Sequence, residues 1–227
     1  MDKSAIRHAA TVILIRDAGT VRPSVLMGQR GAKAAFMPSK YVFPGGAVDP
    51  EDRFGTTLAQ TNPACQGKLA KDARGCTPGA IFAAAIRELW EETGLRLGRQ
   101  RAAPAELDAE LGDSWQAFLH SGAEPDARAL RFIFRAITPP GRPRRFDARF
   151  LLAPASALMD DPDDFSKASD ELSHLHWVPL AKARALDLPF ITEVVLGEVT
   201  GALPALEAPE TVPFFHHDDS LSRFERL

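Results

Sequence analysis

Several ingredients are scarce in these 227 residues, and each shortage closes a class of explanation. Only two cysteines occur, Cys65 and Cys76, too few for the multi-bridge framework of a small secreted domain and without the nearby histidines that a four-ligand structural zinc needs. Both read as reduced thiols. Apolar runs such as Ala80-Ile-Phe-Ala-Ala-Ala-Ile86 fall far short of the ~18 residues of a membrane span. An excess of one charge is also missing: 27 Lys and Arg against 30 Asp and Glu leave −3, so no global field holds nucleic acid or an anionic membrane. An anionic ligand must be held by a local site. The 16 glycines and 18 prolines, roughly 15% of the chain, lie well below the disordered range. What is present, 45% hydrophobic and 25% charged residues, suits one domain over 1–227 carrying insertions. Lys3 and Arg7 precede the apolar run Ala9–Ile15, but Arg16-Asp17 breaks it and no small-x-small cleavage site follows, so it reads as a strand and the protein as cytoplasmic.

Thr11 to Arg16 is apolar and β-branched, closes on Asp17-Ala-Gly19 and is followed by Val25 to Gln29, which predicts a hairpin. Tyr41-Val-Phe43 runs into Pro44-Gly-Gly46, a stop for any regular element. From Asp49 to Gly79 the chain is polar and punctuated by Pro50, Gly55, Pro63, Gly67, Gly75 and Pro78; it reads as a loop with one or two helical turns. Phe82, Ala85, Ile86 and Leu89 carry the spacing of an amphipathic helix over 81–93, and Gly94 stands where a left-handed cap belongs. A second helix is predicted over 104–120, with strands at 130–137, 146–152 and 174–178. Helical stretches near 180–187 and 190–200 precede a proline-rich tail, from about 204, that reads as irregular. This interleaving lacks the alternation of a doubly wound sheet and argues for mixed α/β layers.

The informative segment is Arg87-Glu88-Leu89-Trp90-Glu91-Glu92-Thr93-Gly94-Leu95. At helical spacing, positions 88, 91 and 92 share one face. Like charges there cost about 0.2–0.5 kcal/mol per pair, and acids in a last turn also meet the negative end of the helix dipole. Two readings are open: a solvated acidic face with an Arg87–Glu91 pair, or a hard-oxygen site in which a divalent cation removes both penalties. The upstream Phe43-Pro-Gly-Gly46 favours the second, because glycine lets backbone approach a metal or phosphate closely. Together these residues resemble the Nudix hydrolase family, whose box reads Gly-x5-Glu-x7-Arg-Glu-U-x-Glu-Glu-x-Gly-U, with U aliphatic. Arg87 through Leu95 match every fixed position of its second half. The first half departs, since counting back from Arg87 puts Gly79 and Ala73 where the glutamate and glycine belong, whereas counting forward from Gly46 reaches Asp52. The box therefore reads as split by an insertion at about 53–79. This is similar to the coenzyme A diphosphatase branch with a long insertion inside the box; Arg145-Phe-Asp-Ala-Arg-Phe150 and Glu171 through Trp177-Val-Pro-Leu180 add to the likeness.

The resemblance implies a Nudix-type α/β/α sandwich around a mixed β-sheet and hydrolysis of the pyrophosphate linkage of a nucleoside diphosphate derivative. Coenzyme A or acyl-coenzyme A is favoured by the split box. ADP-ribose, NADH or an oxidised nucleoside triphosphate are alternatives, as is a non-catalytic nucleotide-binding module. It further implies that Glu88, Glu91, Glu92 and the Gly45 carbonyl hold Mg²⁺ or Mn²⁺, that Glu91 is a further ligand or deprotonates water, and that Arg87 pairs with a box carboxylate. The catalytic set is thus Glu91, Glu92 and Arg87. Asp52, shorter than the family's glutamate, reads as catalytic or structural; Glu171, ahead of the last strand, reads as an added site carboxylate or a surface acid. Arg30, Phe43 and Arg145 are candidate substrate contacts, and Arg142, Arg144, Arg145 and Arg149 form a basic cluster that reads either as phosphate recognition or as a solvated loop. His216-His217-Asp218-Asp219 has metal-friendly chemistry in the tail. Expected partners are a small nucleotide and a second copy in a homodimer, with no nucleic acid and no membrane.

Overall fold

Both faces of the first strand are apolar. β1 (Ile6–Arg16) sends Ala10, Val12 and Leu14 into one buried cluster and Ile13 and Ile15 into another, so the sheet it belongs to needs helices on each side. The computed structural model, which describes residues 5–34, 36–55, 61–102, 111–217 and 221–227, supplies them. After β1 come β2 (Ser24–Arg30), β3 (Tyr41–Val42), β4 (Gly45–Ala47), α1 (Asp52–Gly55), α2 (Pro63–Ala70), α3 (Pro78–Thr93), β5 (Gly98–Gln100), α4 (Asp113–His120) and β6 (Ala123–Pro125). Then follow β7 (Arg131–Ile137), β8 (Arg145–Pro154), β9 (Leu172–Pro179), α5 (Leu180–Ala183), α6 (Phe190–Gly201), β10 (Pro213–His217) and β11 (Ser222–Arg226). The main sheet runs β11-β10-β7-β8-β1-β2-β3, with β4 also on β1 and β9 also on β2. β1 and β8 pair in parallel from Ile6↔Arg145 to Ile15↔Pro154, β7 and β10 pair in parallel, and the other ladders are antiparallel. The sheet is mixed, with α2, α3 and α4 over the Ala10 face and α5 and α6 over the Ile13 face, which is the α/β/α sandwich expected.

α3 starts earlier than its apolar periodicity indicated, because Thr77 caps it by accepting the Ala80 amide at 3.2 Å and Pro78 takes the first position. It ends at Gly94, whose φ of 75° is left-handed and whose amide reaches the Trp90 carbonyl at 2.8 Å. A Cβ there would also lie 2.7 Å from the Lys167 Cβ, so the cap is glycine for two reasons.

The segment over Asp49–Gly79, expected as a loop with one or two helical turns, contains the eight-residue helix α2. Asn62 caps α2 through the Ala64 amide at 3.0 Å, and Cys65 and Leu69 are buried beneath it. The Cys65 thiol accepts the Phe132 amide of β7 at 3.2 Å; both cysteines are free, and burial pushes both thiols up. The turn after α2 is fastened by charged side chains from the sheet. Arg135 donates to the carbonyls of Lys71 and Asp72 at 3.1 and 2.9 Å while forking onto Asp147 at 2.8 and 2.7 Å. Arg149 donates to the Asp147 carbonyl at 2.7 Å and to His8 Nδ1 at 2.9 Å, which leaves His8 Nε2 to donate to the Arg74 carbonyl at 3.1 Å.

The tail from 204 is likewise ordered in part. β10 and β11 form a hairpin that extends the sheet beyond β7, correcting the irregular reading. The first part of the helix expected over 104–120 lies outside the described residues, as do Asp218 and Asp219. Among the described residues no helix is long and apolar enough to cross a membrane.

Candidate active site

Where β4 crosses β1, Gly45, Gly46 and Ala47 stand opposite Thr11, Ala10 and Ala9. Gly45 has a φ of 150°, and a Cβ on it would fall 2.4 Å from the Ala10 carbonyl oxygen and 2.6 Å from the Thr11 Cα, so only glycine fits. A Cβ on Gly46 would fall 2.5 Å from the Glu88 carboxylate. The two glycines therefore do different jobs: one lets the strand cross, the other lets an acidic side chain of α3 lie flat on the strand.

Arg87 organises the acids around this crossing. Its side chain is 3% exposed, and all five N–H donors are engaged. Nε and Nη2 fork onto Asp52 at 2.9 Å each, Nη2 also reaches the Ala47 carbonyl at 2.8 Å, and Nη1 holds Glu88 at 3.0 Å and Glu91 at 2.9 Å. Burial works to depress this guanidinium, but the bonds and charge of Asp52, then of Glu88 and Glu91, drive its pKa above the ordinary value. Asp52 is fully buried and completes its shell with the Trp115 indole N–H at 3.1 Å and the Asp49 amide at 2.8 Å. Its two carboxylate oxygens are thus shared among Arg87, Trp115 and Asp49. With no donor left over, Arg87 holds Glu88 and Glu91 as well as Asp52, the pairing with box carboxylates expected of it.

Glu92 is 2% exposed and accepts the Gly45 amide at 2.7 Å. Burial pushes its pKa up to about 8 against that hydrogen bond, with Glu88 adding repulsion and Arg30 opposing it. Burial likewise pushes Glu88 up to about 7, against the pull of Arg87 and with Glu91 adding to the rise. Glu91, with 32% of its side chain exposed, is the open member of the three. Among the described residues no three His, Cys, Asp or Glu side chains converge on one coordination point, because Glu88 and Glu91 turn to Arg87 and Glu92 turns to Gly45. The donor set nevertheless fits a hard divalent cation. It consists of oxygen atoms on one rigid helix face, two of them on carboxyls that burial, with neighbouring carboxylates adding to it, pushes up to about 7 and 8.

Comparison with known proteins agrees with this constellation. No family model matches the chain. A Caenorhabditis elegans protein named putative nudix hydrolase 7 is 32% identical over 182 residues, spanning 77% of this chain and 52% of that protein. The acyl-coenzyme A diphosphatase NUDT19 of Gallus gallus is 30% identical over 232 residues, spanning 75% of this chain and 60% of that protein. The chain thus spans between half and three fifths of the length of these relatives. A Nudix hydrolase structure from Alicyclobacillus acidocaldarius superposes with a TM-score of 0.69 at 29% identity, covering 89% of this chain and 95% of that one. The chain is a homologue of the Nudix hydrolases.

Within this Nudix frame the split box is physically closed. Asp52, on the one-turn helix α1, and Arg87, on α3, meet across the insertion through two 2.9 Å bonds, so the interruption leaves the two halves in contact. Other sequence candidates separate into those near the Nudix glutamates and those elsewhere. Glu171 lies just before β9, near enough for its negative charge to add to the rise of both Glu88 and Glu92. Arg30, at the end of β2, brings positive charge to Glu92, and its buried Nε has no hydrogen-bond partner among the described residues. Phe43 is 3% exposed and packs in the core on the α6 side. Arg149 is 1% exposed and bonded to His8 and Asp147, so it drops out of the basic cluster read from sequence. Arg145 stands opposite Ile6, several residues along the strand from the Gly45 crossing, and its Nε is taken by the Thr138 carbonyl at 3.0 Å. His216 turns to Glu225 at 3.3 Å.

Two participants were absent from the sequence reading. Trp115 was assigned to helix packing only, and nothing in its spacing announced that its N–H serves Asp52. Glu51, which lies against Gly112, has a carboxyl raised by burial, with Asp52, Asp49 and Glu91 contributing repulsion.

Proposed function

We propose that this chain is a pyrophosphohydrolase that uses Mg²⁺ or Mn²⁺ and acts on a nucleoside diphosphate derivative, with coenzyme A or acyl-coenzyme A favoured. The observation that carries the reaction class is the geometry of Glu88, 12% exposed against Gly46, and the buried Glu92 on the Gly45 amide, which share a helix face with the open Glu91. Support for the substrate is the acyl-coenzyme A diphosphatase from Gallus gallus among the relatives, together with a box interrupted after Asp52.

A pyrophosphate resists attack because its own negative oxygens repel a nucleophile, and a bound divalent cation supplies charge neutralisation and a more acidic water. The residues that would hold it are Glu88, Glu91, Glu92 and the Gly45 carbonyl. Arg87 keeps Glu88 and Glu91 on one side of the helix, and Glu91, the most exposed, is placed to accept the proton of the attacking water. Arg30, whose buried Nε has no partner among the described residues, would take a substrate phosphate oxygen. Water then adds to one phosphorus as the bridging P–O bond breaks, giving 3′,5′-ADP and phosphopantetheine from coenzyme A. No covalent nucleophile is required.

The test is chromatographic analysis of products from coenzyme A, NADH, ADP-ribose and a dinucleoside polyphosphate with Mg²⁺ or Mn²⁺, beside a Glu92→Gln control. Release of 3′,5′-ADP from coenzyme A, lost in the control, supports reaction and substrate together. Cleavage of another substrate alone would keep the reaction and remove coenzyme A, and inertness toward all of them while nucleotide still binds would mark a binding module.

A further inference from the structure

The outer strand of the sheet is its most exposed element. All five residues of β11 are exposed, and it closes the strand order with β10 on its inner side. On the α6 face, its Phe224 ring is 53% exposed and joins a row of aromatics: Phe224 to Phe215 at 6.2 Å, Phe215 to Phe190 at 6.3 Å, and Phe224 to Phe134 at 6.1 Å, with Phe190 itself 68% exposed. On the opposite face Arg223 and Glu225 project side by side at i and i+2; the Glu225 side chain, 52% exposed, also touches His216 at 3.3 Å. A long exposed strand edge beside exposed aromatic rings is the usual beginning of association.

The hydrogen-bond phase of the hairpin shows which backbone groups face outward. Val212 and Leu227 exchange both of their N–H···O bonds, at 3.2 and 2.8 Å, so Leu227 and, alternating back from it, Glu225 and Arg223 point their backbone groups inward at β10. Ser222, Phe224 and Arg226 therefore present their N–H and C=O groups outward. For two copies meeting edge to edge in antiparallel fashion, three registers set two or more of these outward residues opposite one another. Centring on position 223 sets Arg223 against Arg223, and centring on 225 sets Glu225 against Glu225. Centring on Phe224 sets Arg223 against Glu225 twice, Ser222 against Arg226, and Phe224 against itself. The charge pattern thus rejects two registers and accepts one, and in the accepted one the Arg–Glu pairs occupy the non-hydrogen-bonded positions, where side chains approach most closely.

We propose that β11 is a self-complementary interface, through which two copies of this chain join their sheets about a two-fold axis at Phe224. The contact is isologous, as a two-fold requires, and the aromatic row of one copy continues into that of the other. A five-residue strand with an aromatic flank is smaller than the standard interface of ~1,600 Å², so association is expected at roughly micromolar to tens of micromolar concentrations.

Sedimentation velocity of the full chain over a concentration series is the first measurement, and a concentration-dependent monomer–dimer boundary is expected. Glu225→Arg and Arg223→Glu each place like charges across the axis and are expected to raise the dissociation constant at least tenfold. Mixed in equal amounts, the two variants restore opposite charges at every facing position, and the mixture is expected to regain the wild-type dissociation constant while neither variant does so alone. Circular dichroism of each variant checks that the hairpin change has not unfolded the chain, and the mixing experiment remains decisive even if each variant is modestly destabilised. A monomer throughout the series overturns the proposal and leaves the edge for a strand of a different protein. A dimer that persists undiminished in Glu225→Arg, or a mixture that stays monomeric, overturns it as well.

Discussion

Two buried ionic clusters lie on the same face of the sheet, and they are unbalanced in opposite senses. Around Arg87 the acids are in excess, with Asp52, Glu88 and Glu91 on one guanidinium and Glu92 behind them. Around Asp147 the bases are in excess, with Arg135 and Arg149 on one carboxylate and His8 against Arg149. The second imbalance is absorbed inside the protein. The carbonyls of Lys71, Asp72 and Arg74 accept the spare donors, and the residual strain shows as Arg149 depressed to about 10 by burial, against the favourable charge of Asp147 and with Arg135 adding repulsion. The first imbalance is absorbed only around Asp52, by Arg87, the Trp115 N–H and the Asp49 amide; Glu88, Glu91 and Glu92 share what is left of Arg87, the Gly45 amide and the charge of Arg30. A surplus that the backbone neutralises fastens a segment in place; a surplus left over selects a ligand of opposite charge.

Removing the shared acid should break the comparison at its structural end. Asp147→Ala strands two buried guanidinium groups and is expected to cost about 3–5 kcal/mol in urea unfolding. The functional end should respond the other way: Glu92→Gln is expected to lower kcat by about 10³-fold, several kcal/mol of barrier, yet to leave the melting temperature unchanged or higher at pH 8. A Glu92→Gln protein that melts well below wild type would mean Glu92 is structural. Smaller still is Trp115→Phe, which keeps the ring and deletes one donor to Asp52. About 1 kcal/mol of stability and a several-fold fall in kcat at unchanged KM are expected, because Arg87 loses part of its anchor.

The finest contrast lies in pH. Glu88 and Glu92 keep protons to about 7 and 8 in the native state but lose them near 4.5 when unfolded, so the native state binds more protons and stability should fall as pH rises from about 5 through 8. His8 is lowered from 6.5 by burial and by Arg149, so the unfolded state binds more protons there and stability should fall as pH drops through 6.5. Thermal melts in a chelator should show both limbs. Excess Mn²⁺ or Glu92→Gln should flatten the alkaline limb alone, and His8→Gln the acid limb alone; any variant that moves both would show the clusters are coupled.

Much of the acid-rich cluster was legible because its residues are local: three glutamates, an arginine and a capping glycine on one helix declare their shared face by spacing. The base-rich cluster was not, because its members come from β1, β7 and β8 and meet only through strand register. A trace existed in Asp147 and Arg149, an acid and a base two residues apart on the same strand face, but strand alternation does not say which face is buried. α2 was obscured by a short apolar stripe, Cys65 and Leu69 only, although Asn62-Pro63 is a legible helix start. β10 was obscured by the prolines leading into it, and the buried side of Phe43 depends on packing that spacing cannot report. Docking of α2 also changes what the insertion is: deletion within it would remove part of the core along with any influence on substrate choice.

The turn at 71–74 is gripped by its main chain. Arg135 and His8 bond carbonyl oxygens there, a feature every amino acid possesses, so apart from the Asp72 carboxylate 3.7 Å from Arg135 the grip ignores which side chains the turn displays. Evolution or a protein engineer could therefore rewrite this stretch freely, provided positions 72, 74 and 75, with φ of 47°, 50° and 85°, keep residues that accept a left-handed backbone. The sheet supplies a socket of fixed register, and the outward chemistry of the turn is open to variation.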